Sequence, residues 1–269
     1  SQSDFSTLCR SRIVPQEVGD PQAVERFAEA VSQAESILRE SGLLRLRRLG
    51  AGEIIGTPGS PGLIAQYFTL SREPVTNEDI RFDPGRMMIG DKILCLHTLT
   101  DLDDLPQTVS TDARYERLST DRSDCRLSFA APVGLLLGCN HLYNQYIFLD
   151  NHEQTLRGFE RLARNMNSLS RYSRSNAVNK EWIDLYLSQA HVDNMLSVRC
   201  HCNVISWAEN SEELARIRND VGAQLALMGC TPHHNTVDVP VLFWGGIPGN
   251  EGDFPAEESF YTFLEPALC

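Results

Sequence analysis

Apolar positions recur along this chain with two periods, and the change from one to the other separates strands from helices. From Val198 to Trp207, Cys200, Asn203 and Ile205 sit among alternating small and apolar neighbours with β-branched Val198, Val204 and Ile205, which predicts a strand buried on at least one face. Ser211 then opens a helix. Its hydroxyl suits the free amides of the first turn, Glu212 and Glu213 suit the positive helix end, and Leu214, Ile217, Val221, Leu225 and Met228 form one apolar stripe. Gly229, tolerant of a left-handed backbone, ends it.

The same pattern organises the remainder. Arg12 to Val14 reads as a short strand. Asp20-Pro21 predicts a helix start, and Val24, Phe27, Ala28, Val31, Ala34 and Leu38 share one face until Gly42. Leu44 and Leu46 alternate with Arg45 and Arg47, as in a half-buried strand. Ala51 to Leu70 reads as a second helix that the prolines and glycines between Thr57 and Gly62 must kink. Ser71 to Gly85 is polar and turn-rich, which sets a boundary between a helix–strand–helix subdomain over 1–85 and a main domain over 86–269. Arg86 to Thr100 predicts a strand pair turning at Gly90-Asp91. Asp101 to Arg126, rich in aspartates that favour caps and turns, predicts loops, and Phe129 to Gly138 is a short apolar segment. Tyr143 to Leu149 predicts a strand, the stripe Leu156, Phe159, Leu162, Ala163, Met166 and Leu169 a helix, and Trp182, Leu185 and Tyr186 another.

Together these elements predict an α+β fold: a mixed, largely antiparallel sheet covered by several long helices, with a smaller N-terminal α/β subdomain. The strands lie near Met88 to Thr100, Tyr143 to Leu149 and Val198 to Trp207. The cover comes mainly from the two helices between Glu153 and Val192 and from the Ser211 to Met228 helix.

One segment is less generic. Pro240 to Asn250, PVLFWGGIPGN, sets Phe243 and Trp244 beside a Gly-Gly pair and a Pro-Gly-Asn turn, so large aromatic anchors adjoin a sharply bending backbone. With Asn144 to Asn151 (NQYIFLDN), Arg164 to Leu187 and Arg199 to Glu209 (RCHCNVISWAE), this run resembles the TraG family of conjugative-transposon proteins, relatives of the ATPases that energise type IV secretion. The residues that match that family's aromatic-rich segment are Phe243, Trp244, Ile247, Pro248, Gly249 and Asn250. The resemblance implies the non-catalytic N-terminal region of a conjugation ATPase at the cytoplasmic face of a bacterial inner membrane. It implies subunit and secretion-channel contacts in DNA transfer, a homo-oligomeric full-length protein, and ATP and magnesium held only in a following C-terminal domain. On that reading Phe243, Trp244, Pro248, Gly249 and Asn250 brace the junction with the ATPase domain. The absence of an initial methionine suggests a cut at the start, and the apolar, helix-like pattern up to Cys269 (Phe260, Phe263, Leu264, Ala267, Leu268) suggests that more chain follows Cys269.

Composition narrows the chemistry. A hydrophobic content of 42% is ample for a core, and no apolar run is long enough to span a bilayer. The net charge of -12 disfavours a general polyanion binder, since phosphate neutralisation needs a basic surface. The 8 cysteines are irregularly spaced, with no secretory signal, and predict reduced thiols rather than a disulfide framework.

A phosphate-binding loop needs Gly-Lys-Ser or Gly-Lys-Thr, but Asp91 precedes Lys92 and Asn179 precedes Lys180, so no ATP site is expected within this chain. Gly50, Gly52 and Gly56 have the wrong last spacing for a dinucleotide fingerprint. Cys200-His201-Cys202 suggests metal until geometry is considered: on a strand the thiols share one face and the imidazole takes the other. No metal ligand set and no catalytic residue is expected. A thiol- or metal-dependent enzyme built on these Cys and His residues, with His233-His234 or Cys139 and His141 brought in by the fold, is the alternative. Arg157, Arg161, Arg164, Arg171 and Arg174 are interleaved with Asn, Ser and Tyr172. The first three share a helix face. They form either a solvated face with local ion pairs such as Glu153 to Arg157 or a docking surface, because forked guanidinium groups recognise a partner's carboxylates. A DNA-binding use is weaker, Tyr172 being the nearby stacking platform.

Overall fold

The computed structural model describes residues 21–40, 45–57, 59–74, 79–83, 85–110, 112–169 and 173–268. The chain divides into two compact units, Ser1–Ile54 and Ile55–Cys269. The predicted strand at Arg12 to Val14, the stop at Gly42, Leu44, Arg171 and Tyr172 lie outside the described residues.

In the first unit, helix α1 (Pro21–Glu40) begins on its proline as expected, where the missing N–H is no loss. Residues 45–50 form no strand, contrary to the alternation of Leu46 with its arginines. Among the described residues no neighbouring strand supplies backbone partners there, and the side chains point to helices instead: Arg48 Nε donates to Glu35 at 2.8 Å and Arg47 to Glu53 at 2.8 Å. Helix α2 (Ala51–Ile54) is a single turn.

The second unit is α+β and, among the described residues, carries a seven-stranded antiparallel sheet and two small two-stranded hairpins. After the small hairpin β1 (Gly56–Thr57) and β2 (Ser60–Pro61), helix α3 (Leu63–Thr69) leads to β3 (Ile80–Asp83), β4 (Arg86–Ile89) and β5 (Lys92–Leu99). The boundary drawn at residue 85 is therefore corrected to Ile54/Ile55. Tyr67 and Leu70 pack in one core with Met87, Ile89 and Phe243, and β3 pairs with β4 from Ile80/Ile89 to Asp83/Arg86, so 55–85 cannot part from the sheet without exposing that core. The Asp-rich loop holds a short hairpin, β6 (Ala113–Arg114) with β7 (Arg126–Leu127), and then come α4 (Ala131–Leu136) and β8 (His141–Phe148).

Helices α5 (His152–Leu169) and α6 (Arg174–Val192) precede the long strand β9 (Ser197–Ala208). The chain ends in α7 (Ser211–Leu227), β10 (His233–Asn235), α8 (Val239–Gly245), β11 (Phe260–Phe263) and α9 (Leu264–Ala267). Phe260 to Phe263, whose apolar spacing looks helix-like, is thus a strand, because the free backbone of β9 from Ser197 to Cys200 is there to pair with it.

Strand β9 organises the sheet. β8 runs along one edge of it, from Phe148/Arg199 to His141/Ser206. Along the other edge β5 pairs with Cys202 to Ala208 and β11 with Ser197 to Cys200. Alternation then sends Val198, Cys200, Cys202 and Val204 to one face and His201, Asn203 and Ile205 to the other. Helix α7 covers the first face with Ile217, Val221 and Leu225. Its cap is Asn210, one residue before the expected Ser211: Asn210 Oδ1 accepts from Glu213 N at 2.8 Å. At the far end Gly229 has φ +80, with Cys230 N bonded to Leu225 O and Gly229 N to Ala226 O, a Schellman closure.

Helices α3 and α8 cover the second face with Tyr67, Leu242 and Phe243. The two long helices do not lie across the sheet as predicted. They pack on each other and reach only its end, through Leu156, Ala190, Tyr186 and Phe263. Among the described residues, no helix is long and apolar enough to cross a membrane.

Candidate functional site

The second face of the sheet holds a polar network inside an aromatic core. His201 and Asn203 project from β9 on this face, His201 between Tyr146 of β8 and Phe254, and both are buried. His201 Nδ1 lies 2.5 Å from the Glu258 carbonyl oxygen, which accepts only, so this nitrogen carries the proton. His201 Nε2 is then the acceptor for Asn203 Nδ2 at 2.9 Å, and Asn203 Oδ1 accepts from Asn144 Nδ2 at 2.9 Å. Burial holds the imidazole neutral by pushing its pKa down to about 4, against a raising contribution from the Glu258 carbonyl.

Tyr67 closes the other side, its hydroxyl donating to the Phe243 carbonyl at 3.2 Å. Burial raises that hydroxyl's pKa, and Tyr146 beside it adds to the rise. Gly246 permits this packing. A Cβ there would stand 2.2 Å from the Tyr67 hydroxyl and 2.8 Å from that of Tyr146.

The network joins three of the stretches singled out above: Asn144 and Tyr146, His201 and Asn203, and the corner at Gly246. At that corner Phe243 is buried and Trp244 half-buried, edge-on to Phe68 at 6.2 Å. Asn250 Nδ2 donates to the Trp244 carbonyl at 3.0 Å, and Gly249 takes φ +93, a conformation that favours glycine in the turn after Pro248. The two asparagines carried a signal that periodicity reading passed over, since asparagine is depleted in strand interiors and a buried one needs partners.

On the first face, Cys200 and Cys202 point beneath α7, opposite to His201, as strand alternation requires. The Cys200 thiol is pushed up by its hydrogen bond to Cys202 and by burial, and burial raises Cys95 to about 11 and Cys230 to about 12. Such thiols stay protonated and are poor nucleophiles at neutral pH. His97 is also buried here. Burial, His234 and Arg218 push its pKa down to about 4, and its Nδ1 lacks a hydrogen-bond partner among the described residues. A separate carboxylate, Asp104, accepts the backbone amides of Thr100 and Asp101 at 3.1 Å and holds His233 Nε2 at 2.6 Å. The dyad pins β10 to the Asp-rich loop. Among the described residues, no group of three His, Cys, Asp or Glu side chains is placed to hold a metal.

The arginines lie apart from both cores. Arg157, Arg161 and Arg164 are exposed on α5, and Arg174 opens α6. Arg157 pairs with Glu153 at 3.1 Å, as i,i+4 spacing predicts, while Arg164 Nε donates to the Glu160 carbonyl at 3.3 Å. Arg161 borders a shallow groove with Asp150, Gln154, Phe159 and Tyr261.

No family model matches the chain, and no curated protein matches it.

Proposed function

We propose that this chain is a non-catalytic interaction module, the N-terminal region of a TraG-type conjugation ATPase that mediates subunit and secretion-channel contacts during DNA transfer. The observation that carries this reading is the convergence of Asn144, Tyr146, His201, Asn203 and Gly246. Three segments that carry the TraG resemblance meet in one buried network, which supports reading them as parts of one structural unit. The network is hydrogen-bonded within itself, and Cys95, Cys200 and Cys230 are buried with their thiols pushed up, which supports a scaffold over a thiol enzyme.

The outward chemistry is the exposed guanidinium groups of Arg157, Arg161 and Arg164 on one face of α5, with Arg174 at the start of α6, suited to carboxylates of a partner in the secretion machinery. The corner from Phe243 to Asn250 braces the junction with an ATPase domain that holds ATP and magnesium, at the cytoplasmic side of the inner membrane. The test is conjugative transfer with Arg161→Glu and Arg164→Glu combined, at matched protein levels. A loss of transfer frequency is expected, because like charges at an interface are costly. Normal transfer would return these arginines to a solvated helix surface.

A further inference from the structure

Helix α5 presents an open groove beside β11. From Asn151 at its cap, Thr155, Gly158 and Leu162 recur at three- and four-residue steps on one side of the helix, and Tyr261 of β11 and Asp150 face them across a space of about 460 Å³. The floor is apolar. Tyr261 meets Phe159 edge-on at 4.9 Å, yet Tyr261 is 37% exposed and Leu162 38%, so the described fold leaves this floor uncovered. Gly158 forms the notch at its centre. A Cβ there would meet nothing within 4 Å, so internal packing does not require glycine at this place, and glycine in a helix interior is otherwise unfavourable. Its effect is to let an outside group approach the helix backbone closely.

The charges around the groove are unevenly paired. Asp150 is neutralised by Arg199 and Arg157 pairs with Glu153, whereas among the described residues neither Arg161 nor Arg164 has a carboxylate partner. Arg161 stands on the rim, and Arg164 follows three residues on along the same helix. Unpaired guanidinium charge beside an apolar floor is the complement of carboxylates flanking an apolar side chain. From Asn151 to Leu162 the groove follows roughly 16 Å of helix, at about 1.5 Å per residue, which matches about five residues of extended chain. Gln154 and Thr155 supply an amide and a hydroxyl for the backbone of such a chain. We propose that this groove binds a short acidic peptide segment of another protein. The segment lies extended along α5, with an aromatic or aliphatic side chain over Gly158 between Leu162 and Tyr261 and its carboxylates on Arg161 and Arg164. The proposal rests on the reading of the α5 arginines as a docking face and gives that face its ligand. A polynucleotide fits less well, since a run of phosphates needs more cations than these two in a chain of net charge -12.

Fluorescence anisotropy of labelled Asp-Glu-Phe-Glu-Asp titrated with the 269-residue chain tests this, with saturable binding at a Kd below about 1 mM expected. Asn-Gln-Phe-Gln-Asn, without the charges, and Asp-Glu-Ser-Glu-Asp, without the anchor, should each bind at least about tenfold more weakly. Gly158→Leu should fill the notch and weaken binding at least about tenfold with the melting point held or raised, since a Cβ there has open space and leucine is the better helix former. Arg161→Gln should weaken it about three- to tenfold at an unchanged melting point, because the side chain is exposed. No binding by the acidic peptide, equal binding by either control peptide, or indifference to Gly158→Leu overturns the proposal. So does an oligothymidylate that binds in the peptide's place and is lost with Gly158→Leu. Loss of conjugative transfer in the Arg161→Glu and Arg164→Glu double variant without any peptide binding would strike the groove and leave the docking face. Peptide binding with normal transfer would strike the conjugation reading and leave the groove.

Discussion

The two faces of strand β9 are built from alternate residues of one sequence, yet they hold together by different physics. Beneath α7, Val198, Cys200, Cys202 and Val204 meet Ile217, Val221 and Leu225, small and branched groups that fit by volume and make few directional bonds. On the opposite face, His201 and Asn203 are bonded end to end with Asn144 and sit among Tyr67, Tyr146, Phe243 and Phe254. A volume-packed face tolerates a swap of similar size, whereas a directional network in low dielectric fails when one member is removed, because its neighbours are left unpaired. The second face is therefore the more specific of the two, and it is the one that touches the Phe243 to Asn250 corner.

Chemical denaturation of single variants can break this contrast. The largest effect is expected from Phe243→Ala, a destabilisation of roughly 3–5 kcal/mol, since the ring is fully enclosed and its removal leaves a cavity. Trp244→Ala should fall below that range, because Trp244 is half-buried. Asn203→Ala comes next, at about 1–3 kcal/mol, from the unpaired His201 Nε2 and Asn144 amide it leaves behind. If Asn203→Ala costs no more than a cavity-sized change such as Cys202→Ala on the opposite face, the distinction between the faces fails.

Acid sharpens the same comparison. His201 and His97, one on each face, have folded pKa values pushed down to about 4, below the unfolded histidine value of about 6.5. The unfolded chain then binds more protons between those values, so stability is full above about pH 6.5 and is lost as pH falls toward 4. Melting curves between pH 7.5 and 4.5, in about half-unit steps, should show that loss. His201→Gln should flatten the slope, and a slope unchanged in both His201→Gln and His97→Gln would refute the assignment. The smallest effect on folding is expected for Arg161→Glu with Arg164→Glu, within about 0.5 kcal/mol, because exposed charges on a helix contribute little. A larger loss would mean that the α5 face is part of the fold and not a free surface.

Long periodic elements were legible before any coordinates. The stripe of α7, the stripe of α5, the strand β9, the turn at Gly90-Asp91 and the stop at Gly229 all rest on interactions within a few residues, and each lies where its pattern puts it. Short strands were not legible in the same way. Ile80 to Asp83 reads as turn-rich and Phe260 to Phe263 as helical, and both become strands because β4 and β9 offer unpaired backbone. Residues 45–50, with a better alternation, meet no such neighbour among the described residues and stay irregular.

The candidate site divides the same way. Local spacing was enough to place Arg157, Arg161 and Arg164 on one helix face and to separate His201 from Cys200 and Cys202, because both follow from backbone period alone. The network of Asn144, His201, Asn203, Tyr67 and Gly246 was out of reach, since its members lie far apart in the chain and meet only when β8 registers on β9 and α8 closes over them. Burial is also a tertiary decision. The stripe of α1 is exposed at Val24 and Phe27, and Trp182 of α6 is exposed too, while equally periodic residues of α7 are fully enclosed. Periodicity determines that a helix has an apolar side, because side-chain direction is set by the local backbone. Which apolar side is buried depends on which surfaces the rest of the chain brings to it.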